Sequence, residues 1–174
     1  MIEQQGDLFK AVNQPKTWLV FTANSMVTRD HRLVIGAGIA KTVRDMFPDI
    51  DAFFGTLLEA NGLAGKCFGI AANYTHNVIA LQTKIDWRDG SPLDLVRNSC
   101  YLLGQFASFR PAELFMSIRP GCGLGHLDWT TVKPLISPLL PDNVHIYDKS
   151  TENYNAVPRQ HHASLNSSPS FQPA

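Results

Sequence analysis

Leu114-Phe115-Met116-Ser117-Ile118, then Gly121-Cys122-Gly123-Leu124-Gly125, then the run from Trp129 to Leu140 form the stretch that decides the fold. The first five residues are apolar apart from one serine and too short for a stable helix, which predicts a strand covered on both faces. The last run repeats apolar residues at Val132, Leu135, Ile136 and Leu139, the spacing of one helix face, with Pro134 expected to kink it. Between them lies a loop with three glycines in five residues. Strand, glycine loop and helix in that order point to an α/β domain.

The same unit recurs upstream. Trp18-Leu19-Val20-Phe21 reads as a buried strand, and Gly36-Ala37-Gly38-Ile39-Ala40 opens a helix carried by Ile39, Val43, Met46 and Phe47 and ended by Pro48. A helix over residues 50–60 stops at Asn61-Gly62. Residues 67–73 and 78–83 read as two strands joined by the turn Tyr74-Thr75-His76-Asn77. Ser91-Pro92 supplies an N-cap serine and a proline at the first helical position, followed by Leu93, Val96, Cys100 and Leu103 on one face. Val144-His145-Ile146-Tyr147 is a last strand. This alternation predicts a largely parallel or mixed sheet between helical layers.

The 174 residues suffice for one domain with a real core, and 44% hydrophobic against 17% charged residues describes a globular chain. Fifteen basic residues balance fifteen acidic ones, so no overall field draws the chain to nucleic acid or anionic membranes. No apolar run approaches the roughly 20 residues that span a bilayer. Met1-Ile2-Glu3-Gln4-Gln5 lacks the features of a signal peptide. Cys67, Cys100 and Cys122 are odd in number and far apart, matching neither a disulfide framework nor a metal site. An intracellular, cytoplasmic protein with reduced thiols is expected. Domain organisation reads as one unit over residues 1–149. A polar tail over 150–174 is either flexible or a docking segment.

Both glycine segments stand between a strand and a helix, where unobstructed loop amides and the positive end of a helix dipole favour an anion. Neither matches the P-loop or a GxGxxG directly after the first strand. One such loop is a common tight turn; two in one small domain fit a diphosphate gripped from both sides.

Gly6-Asp7-Leu8-Phe9, Gly36-Ala37-Gly38-Ile39-Ala40, Pro120-Gly121-Cys122-Gly123-Leu124-Gly125 and Leu127-Asp128-Trp129 occur in that order. Their order and spacing over residues 1–148 resemble the macrodomain family. The resembling branch contains terminal ADP-ribose protein glycohydrolase and the DNA-ADP-ribosyl glycohydrolase antitoxins. The resemblance implies a three-layer α/β/α fold with a mixed, largely parallel sheet. It also implies an ADP-ribose site needing neither metal nor cofactor, and removal of ADP-ribose from a modified macromolecule. A nucleic acid would enter only as that modified substrate, and a monomer is expected. A binder without turnover, or a phosphatase acting on ADP-ribose 1''-phosphate, are the alternatives.

The resemblance also assigns roles. Asp7, with Leu8 beside it, matches the acid that accepts from the adenine amino group; by itself Asp7 reads as a polar turn residue. Gly36, Ala37, Gly38, Ile39 and Ala40 match the segment along the distal ribose. Asn24 lies where a strand delivers a side chain to that sugar, or is a satisfied turn residue. Gly121, Cys122, Gly123, Leu124 and Gly125 match the phosphate loop, with Cys122 a small packing residue. Lys84 resembles the branch's catalytic lysine, whose amine attacks the anomeric carbon; otherwise it is a solvated lysine at a strand end. The attack needs an unprotonated amine, favoured by partial burial or a nearby positive charge. One departure is plain: Gly125 stands where the protein glycohydrolase has an aspartate. Asp128 reads as the N-cap of the next helix. Asp86 would share a face with Lys84 if the strand continued, and His126 is a further candidate acid or base.

Overall fold

A computed structural model describes residues 1–12 and 14–149. The elements in chain order are β1 (Ile2–Asp7), α1 (Leu8–Ala11), β2 (Thr17–Ala23), α2 (Gly38–Met46), α3 (Ile50–Ala60), β3 (Ile70–Asn73) and β4 (Val78–Gln82). They continue with α4 (Leu93–Ser108), β5 (Leu114–Ile118), α5 (Trp129–Ile136), a 3-10 turn (Ser137–Leu139) and β6 (Val144–Lys149). The tail over 150–174 lies outside the described residues.

The six strands form one sheet in the order β1-β6-β5-β2-β4-β3. Every neighbouring pair is parallel except β3 with β4. Both faces are covered, as the apolar run of β2 requires. Its Leu19, Phe21 and Ala23 pack with Ile39 and Val43 of α2 and Ile50, Phe54 and Leu58 of α3. Trp18 and Val20 face the other way, onto Val96, Cys100 and Leu103 of α4 and Val132 and Ile136 of α5. This is the three-layer α/β/α sandwich, and it places the carboxyl ends of β1, β2, β4, β5 and β6 along one edge.

Three local expectations shift. β3 begins at Ile70 rather than residue 67, because the Gln82 side-chain oxygen takes the amides of Phe68 and Gly69 at 2.6 and 3.1 Å. Pro92, not Ser91, is the N-cap of α4, and no side chain caps the helix. Pro134 lies inside α5, but the helix runs on to Ile136 before tightening into the 3-10 turn. Pro134 is the sixth of the eight residues of α5, so the helix continues only two residues past it.

Gln82 is fully buried, and its amide nitrogen also donates to the carbonyls of Lys66 and Lys84 at 2.9 and 3.1 Å. Its side chain thus fastens the entry of β3 to the exit of β4. Gln82→Leu keeps the volume but strands two amides and two carbonyls, so stability should fall by about 3 kcal/mol. Urea unfolding with an unchanged slope checks this, and a loss under 1 kcal/mol would contradict it.

Candidate functional site

The exits of β2 and β4 are stitched together by main-chain bonds. The amides of Thr83 and Lys84 both donate to the Ala23 carbonyl, at 2.9 and 3.3 Å, and the Ser25 amide donates to Ile85 at 3.1 Å. From this seam the Lys84 side chain crosses to the loop that leaves β5. Its Nζ donates to the Leu124 carbonyl at 2.6 Å and lies 3.5 Å from the Trp87 carbonyl. Leu124 in turn reaches the other glycine segment: a Cβ built on Gly38 would lie 3.7 Å from its Cδ1. The two glycine segments and the lysine therefore converge at one place on the carboxyl edge, where such sheets leave a crevice.

Within the 121–125 loop, four of the five carbonyls are bonded to the protein. Gly121 accepts from Leu127 and Gly123 from His126, each at 3.0 Å, and Gly125 accepts from Ser91 at 2.9 Å. Lys84 takes the carbonyl of Leu124. A planar trans peptide points its N–H opposite to its C=O, so the bound Gly123 and Leu124 carbonyls turn the Leu124 and Gly125 amides away from the protein, while the Cys122 and His126 amides bond back to the Arg119 and Gly123 carbonyls. Among the described residues, the amides of Gly123, Leu124 and Gly125 donate to no protein acceptor. At α2 the helix opens on Gly38 with φ +60, and Ala37 supplies no side-chain cap. Its first-turn amides and a dipole of about half a positive charge lie at the Gly38 end of the helix, which the Leu124 side chain approaches. The arrangement is a donor cradle for an anion with oxygens on two sides.

Position 125 is closed to any side chain. A Cβ there would stand 2.2 Å from Ser91 Oγ and 2.3 Å from the Gly121 carbonyl oxygen. Ser91 is buried, and its hydroxyl has no partner among the described residues. Its amide holds Gly125 and its hydroxyl is packed against the same glycine, so it cannot turn to cap α4. This moves the cap to Pro92.

No family model matches the chain, and no curated protein does. Solved structures do. The macrodomain of Thermus aquaticus DarG is 22% identical with TM-score 0.64, covering 84% of this chain and 95% of that one. The fold is that of a macrodomain. The macrodomain of Mycobacterium tuberculosis DarG is 23% identical, with TM-score 0.64 over 86% of this chain and 97% of that one. Thermosipho africanus DarTG, solved in complex with ADP-ribose, is 23% identical with TM-score 0.62 over 84% of this chain. The match spans 41% of the DarTG chain.

The other residues expected at the site are placed by the same fold. Asp86 is not a partner of Lys84: the strand ends at Gln82, and both Asp86 oxygens are taken by the Arg88 guanidinium. The Arg88 amide adds a third bond at 3.0 Å, and together these hold the carboxyl at about 2. Asn24 is a satisfied turn residue, donating to the Val34 carbonyl and accepting from the Met26 amide, each at 2.9 Å. Asp7 stands at the carboxyl end of β1 and caps α1 through the Phe9 amide at 3.0 Å. Leu8 is fully buried in the core, so only its backbone is open to a ligand. Gly36, Ala37 and Gly38 are exposed, Ala40 is half-buried and the Ile39 side chain is core. Cys122 packs against the α4 and α5 layer, and burial raises its thiol, with Arg119 opposing. Asp128 caps α5 as expected, and His126 is exposed at φ +61.

Sequence reading missed Ser91 as the backing of the loop and Arg88 as the owner of Asp86. Only the Asp-x-Arg spacing over 86–88 could have signalled the second.

Two outcomes are expected. Gly125→Asp, which restores the acid by sequence, should cost about 2 kcal/mol of stability because the loop must move; an unchanged urea midpoint would show that the position has room. The Asp86 carboxyl should titrate by NMR near 2, so the fork opens only as pH falls below the ordinary carboxylate range. In Arg88→Gln that midpoint should rise only in part, since the backbone bond remains. A wild-type midpoint at the ordinary 3.8 would remove the fork.

Proposed function

We propose that this macrodomain binds ADP-ribose, with the diphosphate on the 121–125 loop and the first turn of α2. We further propose that it hydrolyses an ADP-ribosyl linkage on a modified macromolecule through Lys84. The observation that carries the reading is the loop in which the protein engages four of five carbonyls and leaves the Gly123, Leu124 and Gly125 amides without a protein acceptor. Thermosipho africanus DarTG, similar in fold, was solved with ADP-ribose, which supports the choice of ligand.

Lys84 suits a nucleophile by position. Its two carbonyl neighbours, Leu124 and Trp87, can each take one N–H of an amine. In a neutral amine the remaining tetrahedral direction is the lone pair. In the proposed step that pair forms a C–N bond to the anomeric carbon, and the acceptor departs with the electrons of the bond that breaks. The acceptor then takes a proton, and water cleaves the C–N bond to release ADP-ribose and restore the amine.

A specific observation favours a second reading, a binder without turnover. Asp86 belongs to Arg88, and position 125 admits no acid, so neither sequence candidate puts a carboxylate beside Lys84.

Calorimetric titration with ADP-ribose, run beside release assays on modified protein and DNA, tests both. Gly123→Val is a clean probe, because a Cβ there meets no atom within 4 Å and the fold should be kept. A branched side chain among the outward amides should weaken ADP-ribose by about tenfold or more, roughly 1.4 kcal/mol. Unchanged affinity would remove the assigned loop. Lys84→Ala should abolish release while lowering affinity no more than about fivefold, the share of one hydrogen bond near 1 kcal/mol. Equal loss of both would make Lys84 a binding residue.

A further inference from the structure

The α4 helix buries one side on the sheet and leaves the other open along its length. Val96, Cys100, Leu103 and Ala107 make the inward side. At 3.6 residues per turn, the outward stripe is Asn98, Tyr101, Leu102, Gln105 and Phe109. Tyr101 is 49% exposed, Leu102 41% and Phe109 82%. A solvated helix face usually carries charges, yet from Asn98 to Phe109 this helix has none. Beside the stripe, Tyr74 is also exposed and packs against Phe106. An apolar patch of this kind marks a contact surface.

The stripe is held in place before any contact forms. Leu102 lies over Gly69 at the entry of β3, where a Cβ on that glycine would fall 2.3 Å from Leu102 Cδ1. The Tyr74 ring is set by an edge contact with Trp18, with 5.4 Å between centroids. Asn98 and Gln105 are exposed, and among the described residues their side-chain amides bond to nothing in the chain.

We propose that a second copy of the chain packs on this face, with the two α4 helices antiparallel about a two-fold axis between Tyr101 and Leu102. A copy is favoured over another partner because the stripe reads alike from both ends. Reversal about that point sets Asn98 against Gln105 of the second copy, so each free amide meets a group that both donates and accepts. Tyr101 and Leu102 of both copies close around the axis, and Phe109 lies over the first turn of the other α4. A two-fold contact brings each charge near the axis toward its own image, so a self-pairing face has to be free of them, as residues 98–109 are. Zero net charge adds no repulsion between copies.

The start of α4 is tied to the glycine loop through Ser91 and Gly125. Antiparallel pairing therefore sends the two crevices to opposite ends of the dimer and leaves both open. The pairing is independent of the ADP-ribose reading, and it departs from the monomer that the family resemblance implies. A 16-residue helix is roughly 24 Å long. A contact of that length falls at the low end of stable interfaces, near about 1,200 Å² in total, so association in the micromolar range is expected.

Sedimentation velocity of the full chain, from low to high micromolar concentration, tests the pairing. The mass should rise from 19.3 kDa toward twice that value. Leu102→Glu should stay at the monomer mass, and so should Leu102→Lys, because each sets a charge against its own image. An equimolar mixture of the two should recover the dimer, since position 102 meets itself across the axis. Tyr101→Glu and Tyr101→Lys repeat the comparison where a Leu102 variant loses the wild-type circular dichroism. Phe53→Glu, on the exposed side of α3, should dimerise like wild type. The proposal is overturned if wild type keeps the monomer mass throughout, if the folded single variants still dimerise, if their mixture stays monomeric, or if Phe53→Glu abolishes association.

Discussion

The site depends on the peptide plane. Four successive constraints turn the carbonyls of the 121–125 loop toward the protein: Leu127 and His126 from the loop's own exit, Ser91 from the start of α4, and Lys84 from the end of β4. Opposite the Gly123 and Leu124 carbonyls the amides of Leu124 and Gly125 are left without a protein acceptor, while those opposite Gly121 and Gly125 bond back to Arg119 and Gly123. An anion site made this way needs no arginine, and the zero net charge of the chain is no obstacle to it.

The same constraint fixes what the site lacks. Ser91 can hold the Gly125 carbonyl only by lying against the glycine, and this contact removes the room for a side chain at position 125. The acid that a family comparison would look for is therefore excluded by the packing that forms the loop. Asp86 does not fill the gap, because a bidentate guanidinium and a backbone amide satisfy it within its own turn. Whatever chemistry Lys84 performs, the local groups around its Nζ are carbonyls.

The fold was legible because its signals are local and redundant. The apolar runs of β2 and β5, the helical spacing of Ile39 with Val43 and of Val96 with Cys100 and Leu103, and the two glycine segments each specify their element alone. The misses share a different cause: a side chain bonding across segments. Gln82 shortens β3 by drawing the Phe68 and Gly69 amides out of the ladder. Ser91 forfeits its cap to the glycine loop. Asp86 was placed by strand periodicity, which fails one residue after the ladder ends, and Asn24 was equally a turn residue or a ligand until its partners were visible. Spacing predicts which face a residue shares, not which partner claims its polar atoms.

Lys84 shows how far main-chain geometry can carry a side chain. Its amide is tied to Ala23 and its carbonyl to the buried Gln82, so the Cα is fixed from both sides. Only the four-carbon stem remains to be placed, and two carbonyls from different segments receive its end. One of them lies on the glycine loop and the other on the Trp87 turn. The lysine thus stands between the loop proposed for the diphosphate and the turn that follows β4.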